Sequence, residues 1–385
     1  MRATEELAKR QREWPLSDTD RGAALFSRMV PLPVRQLEDL RRSGALVVGE
    51  INRALPNAKT FHYPDGSHAV VLYSGLIDFF SSAAKILLGG THMHIEGRID
   101  KPSLPHESVI DRLQALFERW TPEGIARGRN INESPIVLSK ESAEQADALW
   151  QSAMLFILSH EFGHVTYYKP PEDAGPAPAL TREQEYEADR TGYLRLIDKG
   201  PGSMRMRCAG GVVSLRILAV FGSLGHKFPS GHPQPLERLE ALMTALRSAI
   251  PNERDYWKTV PIAYAYDEMI ETAGIHAAKT GQHAPLTAAR MFCRLSAVLE
   301  QCVRDGRKAS FAARVMRFDC NRAPTEMLDE VAQTASRMLR PVSGPVLSDF
   351  DQWQNEKASL YRSIFRELPE PASTIFRTAY KRLPA

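Results

Sequence analysis

The chain has 385 residues, 43% hydrophobic and 25% charged, which is ordinary globular usage and excludes a disordered, collagen-like or low-complexity protein. Lys and Arg number 49 against 46 Asp and Glu, a formal net charge of +3, too balanced to point to a nucleic-acid partner. At about 150 residues per domain, the length suggests two or three domains. The four cysteines, Cys208, Cys293, Cys302 and Cys320, lack the paired spacings of a zinc knuckle or a disulfide framework and read as buried thiols in a reducing compartment.

The N-terminus, Met1-Arg2-Ala3-Thr4-Glu5-Glu6-Leu7, is charged where a signal peptide needs an apolar core. No run of about 18 uncharged apolar residues occurs. The most apolar stretch, 210–225, has Arg216 at its centre and predicts a buried helix whose arginine reaches an edge or an acidic partner. The expectation is a soluble, cytoplasmic protein without membrane insertion.

Residues 1–44 read as an N-terminal helical arm, 45–250 as a central domain with an insertion at 98–140, and 251–385 as a helical C-terminal domain offering a surface to a partner. A helical pattern runs over 34–53, with Leu37, Leu40 and Val47 as core positions. The turn signal Pro64-Asp65-Gly66 and the run Ala69-Val70-Val71-Leu72-Tyr73 predict a β-hairpin, then a helix from Ser74 or Gly75. A strand over 91–98 sets His92, His94 and Glu96 on one face, as a metal pair or simply a polar strand face. One helix, 108–120, interrupts an otherwise irregular 98–140. Ser142-Ala143-Glu144-Gln145 is a capping-box pattern opening a long helix that must stop before Pro170-Pro171. Thr181-Arg182-Glu183-Gln184 is a second, whose helix runs to about Lys199 and ends at Gly200-Pro201-Gly202. Beyond Pro233 the chain reads as almost wholly helical.

The sharpest chemical signal is Ser159-His160-Glu161-Phe162-Gly163-His164. Histidines at i and i+4 share one helix face and can converge on a single zinc ion. Glu161 lies beside them, about 100° round the helix, where a base for a zinc-bound water belongs. A catalytic zinc takes three protein ligands, and Glu183-Gln184-Glu185-Tyr186-Glu187-Ala188-Asp189 offers the third. Glu183 falls in the first helical turn, where the macrodipole favours a carboxylate for structural reasons. Glu185 and Asp189 lie one turn apart. Glu185 can bind zinc while Asp189 accepts the outer N–H of a ligand histidine. The competing reading is an acidic helix face pairing with Arg182 and Arg190. In Gly231-His232-Pro233-Gln234-Pro235-Leu236-Glu237-Arg238, His232 sits at a helix mouth, suited to an oxyanion, and Arg238 can pair with a carboxylate.

In this order the three motifs resemble the M48-type zinc metallopeptidases, which include membrane CAAX-processing proteases and bacterial stress proteases. The segment from Asn57 through Pro64-Asp65-Gly66 to Ser74-Gly75-Leu76-Ile77 is similar to the family's edge-strand hairpin and following helix. The resemblance covers residues 45–245 or so. It implies an α+β, mainly helical fold: a zincin-like metallopeptidase core with a small edge β-sheet and a helical C-terminal region. It implies one zinc per chain held by His160, His164 and Glu185, with Glu161 as base, Asp189 behind the ligands and His232 on the transition state. The strand at 69–73, through Val70, Val71 and Leu72, would bind an extended protein or peptide substrate by strand addition.

The implied activity is that of a soluble gluzincin: peptide-bond hydrolysis by Glu-assisted attack of zinc-bound water. The sequence departs from the family in its long 98–140 region, in lacking many relatives' membrane helices, and in residues beyond Pro251. Through the zinc motif it also resembles the phage-exclusion proteases of the Lit type, a defence role. A further alternative is a zinc-binding sensing or interaction module without proteolysis. An intact Glu161 argues against it, because a structural site has no use for a base.

Overall fold

A computed structural model describes residues 2–16, 19–28, 35–91, 93–95, 98–100, 104, 106–126, 136–168, 181–226, 233–251, 255–256, 259–278, 291, 324–338, 363, 366–368 and 370–380. Strands β1 (Leu46–Ile51), β2 (Ala58–His62) and β3 (His68–Tyr73) form one sheet in the order β1-β3-β2. The predicted hairpin is β2 and β3, antiparallel, with Thr60 opposite Val70. At its turn Gly66 takes φ 75°, and the Asp65 carboxylate accepts hydrogen bonds from the N–H and hydroxyl of Ser67, which is how Asp and Gly close tight turns. β1 runs parallel to β3 on its other side.

Two expectations are corrected by this sheet. The helix read over 34–53 ends early: after helix α2 (Arg21–Arg28), helix α3 spans Arg35–Arg42, Gly44 turns the chain at φ 74°, and β1 follows. β1 is almost wholly buried, so it lacks the polar alternation that separates a strand from a helix in sequence. The second correction concerns β3, which is the middle strand rather than an edge. Ala69, Val70, Val71 and Leu72 are fully buried. One face of β3, with Ala69, Val71 and Tyr73, packs on Ala3 and Leu7 of helix α1 (Arg2–Glu13). A peptide therefore finds no open main chain beside Val70, Val71 and Leu72.

The outer edge of β1 is also covered. The Glu50 N–H donates to Asp20 Oδ1, Gln11 Nε2 donates to the Glu50 carbonyl, and the Asn52 N–H donates to the Trp14 carbonyl. Among the described residues, the outer side of β2 is the edge that remains. The bonds Tyr63 N–H to Ser67 O and Tyr73 N–H to Asn57 O set the ladder's parity. Odd-numbered residues of β2 bond to β3, so the N–H and C=O groups of Ala58, Thr60 and His62 point outward, with the Ala58 N–H donating to Asn57 Oδ1 at 2.9 Å.

After β3 come helix α4 (Ser74–Gly89), the short pair β4 (Met93–Ile95) and β5 (Arg98–Asp100), and helices α5 (His106–Arg119) and α6 (Pro122–Ala126). The strand read over 91–98 is shorter than expected: β4 covers only Met93–Ile95, and Arg98 opens its antiparallel partner β5, opposite Ile95; His92 and Glu96 lie outside the described residues. Helix α7 (Lys140–Thr166) is the axis of the unit, packed against α4, β2 and two following helices, α8 (Arg182–Lys199) and α9 (Met204–Ser223). Its cap is Ser139, whose hydroxyl accepts from the Ser142 N–H. The helix therefore starts before the predicted box at Ser142. The box at Thr181 and Gln184 is present and opens α8, and Gly200 ends it.

By length and composition α9 is apolar enough to cross a membrane, yet 72% of its apolar window is buried within the fold. Arg216 at its centre lies 3.3 Å from Glu271, and both are largely buried, so an acidic partner meets the arginine as expected. Cys208 in α9 is buried, and burial pushes its thiol up to about 12, consistent with an inert core cysteine. Cys293, Cys302 and Cys320 lie outside the described residues. Helix α10 (Pro235–Ala249) packs on α8 and α9.

The chain divides into two units, one of residues 1–251 with 269–282 and one of 252–268 with 283–385. In the second, the helices Thr325–Met338 and Ala372–Tyr380 pack on each other. The described fold is mainly helical with a small sheet, an α+β arrangement.

Candidate metal centre

α7 sets His160 and His164 one turn apart with their Nε2 atoms 3.3 Å from each other. α8 crosses α7 very closely at this point. A Cβ added to Gly163 would meet Ala188 Cβ at 2.3 Å, and one added to Gly192 would meet Ser159 Cβ at 2.8 Å. The absence of side chains on these two glycines lets the short carboxylates of α8 reach the histidines. Glu185, 2% exposed, places Oε2 3.4 Å from His160 Nε2 and Oε1 3.8 Å from His164 Nε2. The rival carboxylates are elsewhere. Glu187 pairs with Arg190 at 2.9 Å, and Glu183 is exposed in the first turn.

Asp189 Oδ1 lies 2.9 Å from His160 Nδ1. Arg238 of α10 grips the same carboxylate with two donors, Nε to Oδ2 at 2.6 Å and Nη2 to Oδ1 at 2.7 Å. Burial works against the charge on Asp189, but the Arg238 guanidinium and His160 outweigh it and hold the carboxyl well below its ordinary range. Burial likewise opposes the charge on Arg238, and Asp189, with Glu185 and Glu161 nearby, keeps it protonated. An ionised Asp189 can only accept, so His160 Nδ1 carries the proton. The 3.2 Å approach of Arg238 Nη2 to that nitrogen is then a contact rather than a donated bond. His160 Nε2 is turned toward His164 and Glu185.

Glu161 is 9% exposed, and one of its oxygens lies within 4.8 Å of ligand atoms on both histidines. Thr60 of β2 donates its hydroxyl to Glu161 Oε2 at 2.6 Å, and the Glu161 carbonyl is 3.2 Å away. Nothing in the sequence pairs Thr60 with Glu161, which is 101 positions away. Also beyond sequence reading is a second histidine pair, His62 and His68, with Nδ1 atoms 2.8 Å apart and Tyr168 stacked on His62 at 4.0 Å. His232 lies outside the described residues. Arg238, expected to meet a carboxylate, meets Asp189.

These residues suit a divalent cation. Ligand atoms held tetrahedrally at about 2.0–2.2 Å from zinc are roughly 3.3–3.6 Å from one another. The histidine nitrogens and the nearer Glu185 oxygen are 3.3 and 3.4 Å apart, and the farther oxygen 3.8 Å from His164. The donor set is two imidazole nitrogens and one buried carboxylate, with the Glu161 carboxylate beside them. Two histidines and a carboxylate are a ligand set that zinc takes.

Residues 105–259 match the model of the family Peptidase U49. The match is to a peptidase family. It spans α5 to just beyond α10, less than half of the chain, and includes both histidines, Glu161, Glu185, Asp189 and Arg238. It supports proteolysis as the activity and carries the peptidase class without the M48 resemblance. No curated protein and no solved structure matches the chain.

Proposed function

We propose that the chain is a zinc-dependent endopeptidase of the HExxH type with a zincin-like core. The observation that carries this reading is the convergence of His160, His164 and Glu185, from two helices, with Glu161 beside them. His160, His164 and Glu185 would hold the ion. When bound, zinc supplies a Lewis acid that polarises a carbonyl and makes water a usable nucleophile near neutral pH.

The chain's own groups do the rest. Asp189 holds the His160 proton on Nδ1 and orients the ring, and Arg238 keeps Asp189 ionised. Glu161 takes the proton of the attacking water and returns it to the leaving amine. The helix crossing at Gly163 and Gly192 holds the carboxylates of α8 close to the histidines, and the burial of Glu185 and Asp189 strengthens charge interactions among them. Substrate pairs as an added strand with the outward groups of Thr60 and His62 on β2, which replaces β3 in this role. That arrangement reads main chain rather than side chains.

The test is zinc content together with cleavage. Purified protein carries one zinc per chain and digests an unfolded protein such as casein, and Glu161→Gln keeps zinc but loses cleavage. Wild-type protein with full zinc and no cleavage of any peptide in a diverse quenched-fluorescence library would support the zinc-binding interaction module instead.

A further inference from the structure

We infer that Thr60 is a positioning residue for Glu161, and that it joins the peptide-pairing edge to the base. The inference rests on the peptidase reading and goes beyond it by naming what aims the base. The Thr60 hydroxyl lies 2.6 Å from Glu161 Oε2, the length of a charge-assisted O–H···O bond. The hydroxyl is the donor and the carboxyl oxygen the acceptor. Its second approach, to the Glu161 carbonyl, is longer at 3.2 Å. Oε2 is thereby held and the orientation of the group fixed. Oε1 is left clear of this donor for proton transfer.

Packing does not call for a hydroxyl here. Thr60 is only half-buried on the face of β2 toward α7, and valine would fill the same volume. The alternate residues Lys59 and Phe61 serve the other face, where Arg10 stacks over Phe61 at 3.9 Å. Thr60 also has its N–H and C=O on the open side of β2, by the parity of the ladder. One residue therefore offers its main chain to an incoming strand and its side chain to the base. A peptide that shifts β2 shifts the carboxylate with it. The competing account is that the hydroxyl only fastens strand to helix.

The experiment compares wild type, Thr60→Val and Thr60→Ser, all zinc-loaded, on a quenched-fluorescence peptide cut by the wild type. The expected result for Thr60→Val is a fall in kcat of about 10–100-fold, the scale set by small misplacements of a reacting group. KM, zinc content and melting temperature stay near wild type, and Thr60→Ser recovers most of the rate. Unchanged kcat in Thr60→Val overturns the inference, as does a fall in melting temperature that alone accounts for the lost rate. A second measurement needs no turnover. In crystals of the zinc-loaded proteins, Glu161 keeps one rotamer in wild type and Thr60→Ser and leaves it in Thr60→Val. An unmoved Glu161 in Thr60→Val sinks the positioning role whether or not the protein cuts peptides. Glu161 displaced in Thr60→Val but held in a wild type that cuts nothing upholds the positioning and retires the peptidase reading.

Discussion

His160 and His164 on α7 face each other through nitrogens 3.3 Å apart, and His62 and His68 on the β2–β3 hairpin through nitrogens 2.8 Å apart. By distance the hairpin pair is the closer. The surroundings differ. Glu185, Asp189 and Glu161 surround the helix pair, and Arg238 closes the ring. The hairpin pair has an aromatic wall, Tyr168, stacked on His62 at an interplanar angle of 10°. Among the described residues no carboxylate is hydrogen-bonded to either hairpin ring. Burial, then His68 and His164, lower His62 to about 4, so its ring stays neutral. Proximity of the imidazoles does not distinguish the two pairs; the carboxylates gathered around the helix pair do.

The largest effect should separate the two pairs outright. His160→Ala or His164→Ala loses zinc and all cleavage, whereas His62→Ala and His68→Ala retain one zinc per chain, measured by elemental analysis after dialysis. Full zinc in either α7 variant would remove the basis of the comparison. Next comes Glu161→Gln, which keeps zinc and loses about 10²–10⁴-fold in kcat, the usual reach of a positioned base. Smaller still is Asp189→Ala, which weakens zinc affinity by about 10–100-fold in chelator competition, while Glu187→Ala does nothing. Equal effects of the two would mean that the carboxylates on the other face of α8 hold the ion.

The smallest effect belongs to the hairpin pair and concerns pH. His62 has an ordinary value of 6.5 and a folded value of about 4. Between those values the unfolded chain binds a proton that the folded chain refuses, so stability falls as pH drops through that window. His68 is lowered as well, chiefly by burial, and acts in the same direction. The melting temperature should decline from about pH 6.5 to pH 4, and less steeply in His62→Gln. An equally steep decline in the variant would show that another group carries the linkage.

Much of the site was legible because its spacing is local. His160 and His164 are one helical turn apart in any helix, and so are Glu185 and Asp189. The capping box at Thr181 sets the phase of α8, so Glu185 rather than Glu187 faces inward. The hairpin was legible from Asp65-Gly66 and the β-branched run after it. Pairings between distant segments were not legible. Arg238 was expected to find a carboxylate, but its choice of Asp189 depends on how α10 packs on α8. Thr60 carries no mark of its role, since a threonine in a strand is ordinary.

The sequence by itself determined the helices of the site, their phases and the residue types they present, because helical period, caps and turn residues act over a few positions. Only the tertiary structure decided which strand is the edge. β1 slides in parallel beside β3, a non-local pairing with no pattern of its own, and this turns the expected edge into the centre and leaves the edge to β2. It also decided how closely α7 and α8 approach, through Gly163 against Ala188 and Gly192 against Ser159. Such contacts depend on what two distant segments lack as much as on what they carry, and no window along the chain contains both.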